Sequence, residues 1–135
     1  MTRKTWDSIW MEFADSISQR SIDERRKVGA VIVTDDNAQV LALGYNGDQR
    51  GGSNTVESQE PGKSGCVHSE VNAIIKLDYN NQKRRIMYVT TFPCKDCAKC
   101  IVNARIDEIV YRDEYRNPDG LEIMKNAGIA IRKYT

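Results

Sequence analysis

His68-Ser69-Glu70 and, further along, Pro93-Cys94-Lys95-Asp96-Cys97 constrain this chain more than anything else in it. Together they hold an imidazole, two thiols and a carboxylate, side chains that bind a transition metal or work beside one. His68 is the only histidine in the chain, so no other residue competes for the imidazole role. A fold that serves this pattern must bring His68, Cys94 and Cys97 to one ion. Three protein ligands leave a tetrahedral zinc one open position for water, which separates a catalytic site from a closed structural one.

The spacing of apolar residues places the two segments on helix starts. Trp6, Ile9, Trp10, Phe13, Ala14 and Ile17 fall at helical spacing and predict a first helix over about residues 5–20, its aromatic stripe serving as core or subunit interface. Residues 28–34 and 39–45 are apolar and β-branched around Asp35-Asp36-Asn37, which predicts a hairpin. Residues 46–66 are rich in glycine and lack periodicity, and a loop of that length running into a metal ligand points to function. Val71, Ile74, Ile75 and Leu77 predict a helix over 68–79, followed by a buried strand over 85–91 and a helix over 94–104. A short strand at 108–112, a turn at Asn117-Pro118-Asp119-Gly120, a helix over 121–127 and a strand over 129–133 complete the chain. The order α-β-β-α-β-α-β-α-β fits one domain over 1–135, a three-layer α/β/α sandwich with a five-stranded mixed sheet.

On this plan Cys94 and Cys97 sit at the start of one helix, where partial positive charge favours thiolate, the form that binds metal. Pro93 just ahead stiffens the entry to that turn. Zinc at the site would lower the pKa of a bound water towards neutral. Glu70, two residues beyond His68, is placed to take a proton from that water and pass it on, serving as base and then acid. The alternative is a closed structural zinc, for which Cys66 or Cys100 would be the fourth ligand. Cys100 lies six residues beyond Cys94 and points away from it on a helix, and Cys66 reaches the ion only if its loop folds back. Cys100 is expected as a buried small residue and Cys66 as a loop residue at the pocket mouth.

Composition narrows the partners. Twenty basic and nineteen acidic residues leave a formal charge of +1, so net charge gives no affinity for a nucleic acid. Lys83-Arg84-Arg85, the densest basic run, is expected to form a solvated turn. No apolar run approaches the roughly 20 residues of a membrane span. The N-terminus lacks the apolar core of a signal peptide. Four cysteines clustered around the motif point to metal binding in a cytoplasmic protein rather than to a disulfide framework.

His-x-Glu with Pro-Cys-x-x-Cys is the pattern of zinc deaminases that act on nucleobases. The residues around it narrow the match: Arg25-Arg26-Lys27-Val28-Gly29-Ala30, Gly44-Tyr45-Asn46-Gly47, His68 through Ile74, Tyr88 through Cys94, and Cys97-Ala98-Lys99. Over about residues 23–128 the chain resembles the deoxycytidylate (dCMP) deaminases of the cytidine deaminase-like superfamily. The resemblance implies hydrolysis of dCMP to dUMP and ammonia, feeding thymidylate synthesis, with one catalytic zinc per chain. It implies Asn46 as a sugar or base contact, with Gly47 and Ser69 also against the substrate. Arg26, Tyr115 and Arg116 would hold the phosphate, a guanidinium forking onto its oxygens and a phenol donating one hydrogen bond. It further implies a homo-oligomer, often a hexamer, activated by dCTP and inhibited by dTTP with Mg²⁺.

Three departures bear on this. Some relatives carry a second, structural zinc on extra cysteines and histidines before the catalytic histidine, and residues 48–65 here contain neither. Gln49 stands where a proline is frequent. Ser69 stands where alanine is commoner, a small-for-small exchange expected to have little consequence. Two rivals remain at this point: a deaminase of another substrate (free cytidine, tRNA adenosine or single-stranded DNA), and a catalytically silent nucleotide-binding regulator. The phosphate candidates and the lack of a basic, aromatic groove weigh against the former, and the presence of Glu70 against the latter.

Overall fold

Two strands carry an unbroken run of buried side chains, β1 (Gly29–Thr34) and β3 (Arg85–Thr91), which requires cover on both faces of the sheet they share. A computed structural model describes the chain over residues 2–135. The other elements are α1 (Trp6–Ser18), β2 (Val40–Tyr45), α2 (Ser69–Ile74), α3 (Lys95–Asn103), β4 (Glu108–Asp113), α4 (Asp119–Asn126) and β5 (Ala130–Lys133). The strands form one sheet in the order β2-β1-β3-β4-β5. β1 pairs antiparallel with both β2 and β3, whereas β3–β4 and β4–β5 are parallel. This is the expected five-stranded mixed sheet between helical layers.

Alternation along the strands divides the interior in two. Val31, Val33, Ile86, Tyr88 and Val110 face Trp10, Met11 and Ala14 of α1. Ala30, Ile32, Met87, Val89 and Ile109 face the other way, into a cluster with Ala73 and Ile74 of α2, Ala98 and Ile101 of α3, and Met124 of α4. The hydroxyl of Thr5 caps α1 by accepting from Ser8 N at 3.1 Å. Its aromatic stripe is only partly core: Trp10 is buried, while Trp6, stacked on it at 5.5 Å, is 54% exposed and Ile9 is also exposed.

The helix expected over 68–79 ends at Ile74. Lys76 N and Leu77 N bond three residues back, to Ala73 O and Ile74 O, which tightens and closes the last turn. Leu77 thereby reaches the core while Ile75, one of the residues that made the spacing look helical, is 69% exposed. The basic run also divides. Lys83 and Arg84 are solvated and paired with Asp36, Asp35 and Asp107, but Arg85 opens β3 and is buried. Among the described residues no helix is long and apolar enough to cross a membrane.

Close backbone approach sets the position of α2. A Cβ on Gly44 would stand 2.4 Å from Ser69 O and 2.6 Å from Ala73 N, both backbone atoms that cannot swing aside. The Asn72 amide adds bonds from Nδ2 to Tyr45 O at 2.8 Å and to Val67 O at 3.3 Å. Gly44→Ala is therefore expected to destabilise the chain by about 1–3 kcal/mol, as overpacking does. Urea unfolding measures this, and wild-type stability in the variant would contradict the packing described.

Candidate active site

Sheet topology gathers at one end residues that are far apart in sequence. Because β1 runs antiparallel to β3 and β4 parallel to it, the start of β1, the end of β2, the end of β3 and the end of β4 all lie at the same edge. Residues 26–28, Asn46, the Pro93-Cys94 turn and Tyr115-Arg116 are the segments that leave or enter there. Gly29 N donates to Thr90 Oγ1 at 3.1 Å and Phe92 N to Asp113 O at 2.8 Å, tying these ends together.

His68 and Cys94 are the N-caps of α2 and α3, and Cys97 lies in the first turn of α3. Their ligand atoms fall within 4.8 Å of one another, the one such group of three among the described residues. His68 Nδ1 is 3.2 Å from Cys97 Sγ and 3.5 Å from Cys94 Sγ. Tetrahedral zinc with bonds of about 2.0–2.1 Å to nitrogen and about 2.3 Å to sulfur has N–S edges of roughly 3.5 Å, so the donor set fits zinc. Cys66 and Cys100 stand outside the group, and Cys100 is half-buried rather than buried. A Cβ on Gly120 would come within 3.0 Å of Pro93 O and 3.3 Å of Cys94 O, so the first turn of α4 is pressed against the metal-binding turn.

Proton affinities within the triad are strongly coupled. Cys94 is pulled down to about 4, by a hydrogen bond from the Cys97 thiol and then, against burial, by bonds from His68 and the Cys97 backbone N–H. Cys97 is pushed well up, first because it donates to the Cys94 sulfur and then by burial. His68 is raised, chiefly by its bond to Cys94, with burial opposing. The bonds that pull Cys94 down favour its thiolate, the form that binds metal. A metal that takes all three ligands needs thiolates and a neutral imidazole, so its affinity rises with pH.

Glu70 is 4% exposed and its carboxyl is raised by burial, opposed first by the hydroxyl of Ser69, which donates to Oε1 at 2.7 Å. A cavity of about 420 Å³ is lined by Arg26, Asn46, His68, Ser69, Glu70, Cys94, Tyr115 and Arg116, within the range of about 300–1,000 Å³ for small-molecule sites. The Tyr115 ring lies 5.5 Å from the Arg26 guanidinium and 4.9 Å from that of Arg116, so two cations share one aromatic ring.

Three expected contacts are placed differently from the rest, the first being Ser69, which is fully buried and turns its hydroxyl to Glu70. Gly47 is not part of the cavity wall: it exchanges backbone bonds with Val67, 3.1 Å from its N–H and 2.8 Å to its carbonyl, and so anchors the strand end ahead of His68. Asn46 lines the cavity, yet its side chain is a clamp, accepting from Val28 N and donating to Arg26 O, both at 2.8 Å. That leaves one amide N–H and one carbonyl lone pair unassigned. Spacing gave no sign of Asp23, Phe92, Lys95 and Asn117, which also line the cavity, or of Arg25, which ties residues 23–26 to the loop through Gln59 O. Only their nearness to residues 26, 94 and 116 in the chain could have marked them.

Comparison with known proteins places this geometry. A family profile described as the cytidine and deoxycytidylate deaminase zinc-binding region matches residues 4–113. The chain is 33% identical to the deoxycytidylate deaminase of Saccharomyces cerevisiae, covering 100% of its own length but 46% of that protein. It is 35% identical to the deoxycytidylate deaminase of Mus musculus, covering 96% of this chain and 80% of that one. Among solved structures, dCMP deaminase from the cyanophage S-TIM5 in complex with dCMP and dUMP superposes with a TM-score of 0.83 at 30% identity, covering 99% of this chain and 100% of the phage chain.

Cys97→Ala removes one sulfur of the triad and is expected to take zinc from one per chain to almost none after dialysis. Elemental analysis of the purified variant checks this, and stoichiometric zinc in it would exclude Cys97 as a ligand.

Proposed function

Because the chain belongs to the cytidine and deoxycytidylate deaminase zinc-binding family, we propose that it hydrolyses dCMP to dUMP and ammonia, supplying dUMP for thymidylate synthesis. The observation that carries this reading is one cavity whose wall joins His68 and Cys94 of the metal triad and a buried carboxylate to two arginines on a tyrosine ring. The first half fits deamination of a base and the second fits a monophosphate. The cyanophage enzyme bound to dCMP and dUMP, similar over nearly its whole length, supports the same substrate.

His68 Nδ1, Cys94 Sγ and Cys97 Sγ would hold one zinc, whose Lewis acidity makes water a nucleophile near neutral pH. Glu70 moves the protons. It accepts one from the attacking water and places it on the ring nitrogen beside the carbon that bears the amine. It then takes the second from the added hydroxyl and gives it to the amine, which leaves as ammonia while the carbonyl of uracil forms. Burial, which raises the Glu70 carboxyl, suits a group that must hold a proton between the two transfers. Arg26, Arg116 and the Tyr115 hydroxyl receive the phosphate. The remaining amide N–H and lone pair of Asn46 are available to the sugar or base, and Gly47 sets the strand end that carries Asn46.

The proposal extends to the whole chain as one deaminase domain working in the cytoplasm as a homo-oligomer, a hexamer on the resemblance. Trp6, Ile9, Val40 on the edge strand β2, and Ile75 are exposed apolar residues that an oligomer would cover. Activation by dCTP and inhibition by dTTP with Mg²⁺ belong to the same proposal, with neither a nucleic acid nor a membrane as partner.

An assay of zinc-loaded protein on dCMP, deoxycytidine and dCTP, with and without dCTP or dTTP and Mg²⁺ as effectors, is expected to show preference for dCMP. No deamination of any of the three would overturn the reading. Glu70→Ala is expected to keep its zinc and lose more than about a hundredfold in kcat, the scale of general acid–base catalysis. Turnover above a hundredth of wild type would remove Glu70 from the proton path. Arg26→Ala should raise KM for dCMP far more than for deoxycytidine, and equal effects on the two would take Arg26 out of the phosphate site.

A further inference from the structure

The Ser69 side chain has a single hydrogen-bond partner among the described residues, the Oε1 of Glu70 at 2.7 Å, and Ser69 is 0% exposed. Nothing in the packing calls for that hydroxyl. Alanine fills the same space less one oxygen, and a buried hydroxyl is unfavourable unless it is bonded. The bond is also tightly framed, because the Ser69 backbone lies against Gly44 and cannot shift without lifting α2 from β2. The hydroxyl thereby ties Oε1 of Glu70 to the anchored first turn of α2.

Resting on the proposed role of Glu70, we infer that Ser69 is a positioning residue whose hydroxyl occupies Oε1 of Glu70 and so assigns the travelling proton to Oε2. The chemistry is consistent in both charge states. When Glu70 is a carboxylate, Oε1 accepts from Ser69 and Oε2 takes the proton from water. When Oε2 carries the proton, Oε1 is the carbonyl oxygen of the acid and still accepts the same bond. The carboxyl can then load and unload at one oxygen without turning between the two transfers. The Ser69 hydroxyl thus acts through Glu70 rather than on the substrate.

Two measurements on Ser69→Ala test this separately from the substrate assignment. In the first, spectra of zinc-loaded protein carrying isotope-labelled glutamate are recorded for wild type and variant, with Glu70→Gln assigning the Glu70 carboxyl resonance. The resonance is expected to move in Ser69→Ala. An unmoved resonance would overturn the bond whether or not dCMP is the substrate. In the second, steady-state kinetics on dCMP are expected to show kcat lower by about tenfold or more, the scale of one hydrogen bond to a charged group, with KM within twofold and one zinc per chain retained. An unchanged kcat would show that the hydroxyl does not position the carboxyl. A raised KM with unchanged kcat would instead put Ser69 on the substrate. Failure of wild type to deaminate dCMP would count against the substrate and leave the spectroscopic test in force.

Discussion

The close approach of α2 to β2 at Gly44 is the constraint on which the site depends. No side chain separates the strand from the first turn of the helix, and that turn carries His68, Ser69 and Glu70 in succession. A helix set a few ångströms further out would take the imidazole away from both sulfurs and the carboxyl away from the cavity. Gly120 plays the matching part for α3, letting α4 press on the turn that holds Cys94. Two glycines thus set the two halves of the metal-binding set on one face of the sheet, which supplies the rigid reference.

Electrostatics then finish what packing starts. Cys94, Cys97 and His68 lie within hydrogen-bond reach of one another, and the bonds onto Cys94 favour its thiolate. The carboxyl of Glu70 lies buried beside them, where its neutral form is favoured over that in water. That suits a carboxyl which must hold a proton between two transfers.

Much of this was legible in the chain. The element order, the hairpin and the mixed sheet followed from alternation in residues 28–34, 39–45 and 85–91 and from the turn residues between them. The triad followed from His68 being the only histidine and from the spacing of Cys94 and Cys97. What the pattern does not carry is the partner each side chain finds. Ile75 completes a helical pattern that the chain abandons, because Leu77 gains more by folding into the core than by continuing the helix. Asn46 reads as a ligand contact, yet it also clamps residues 26–28, and no local pattern announces a partner so far away in sequence. Ser69 looked interchangeable with alanine by size, and only coordinates place its hydroxyl on a neighbouring carboxylate.

β3 lies between an antiparallel neighbour and a parallel one, which collects the end of β2, the start of β1 and the end of β4 around Cys94. The same arrangement leaves the opposite rim of the sheet with none of the site residues. The exposed turn around Asn80, just before β3, sits a strand length away from Cys94, roughly 20 Å at the usual rise per residue. A fluorophore or a short peptide tag grafted there would report on the enzyme without entering its chemistry. The molecule has, in effect, a working end and a handle.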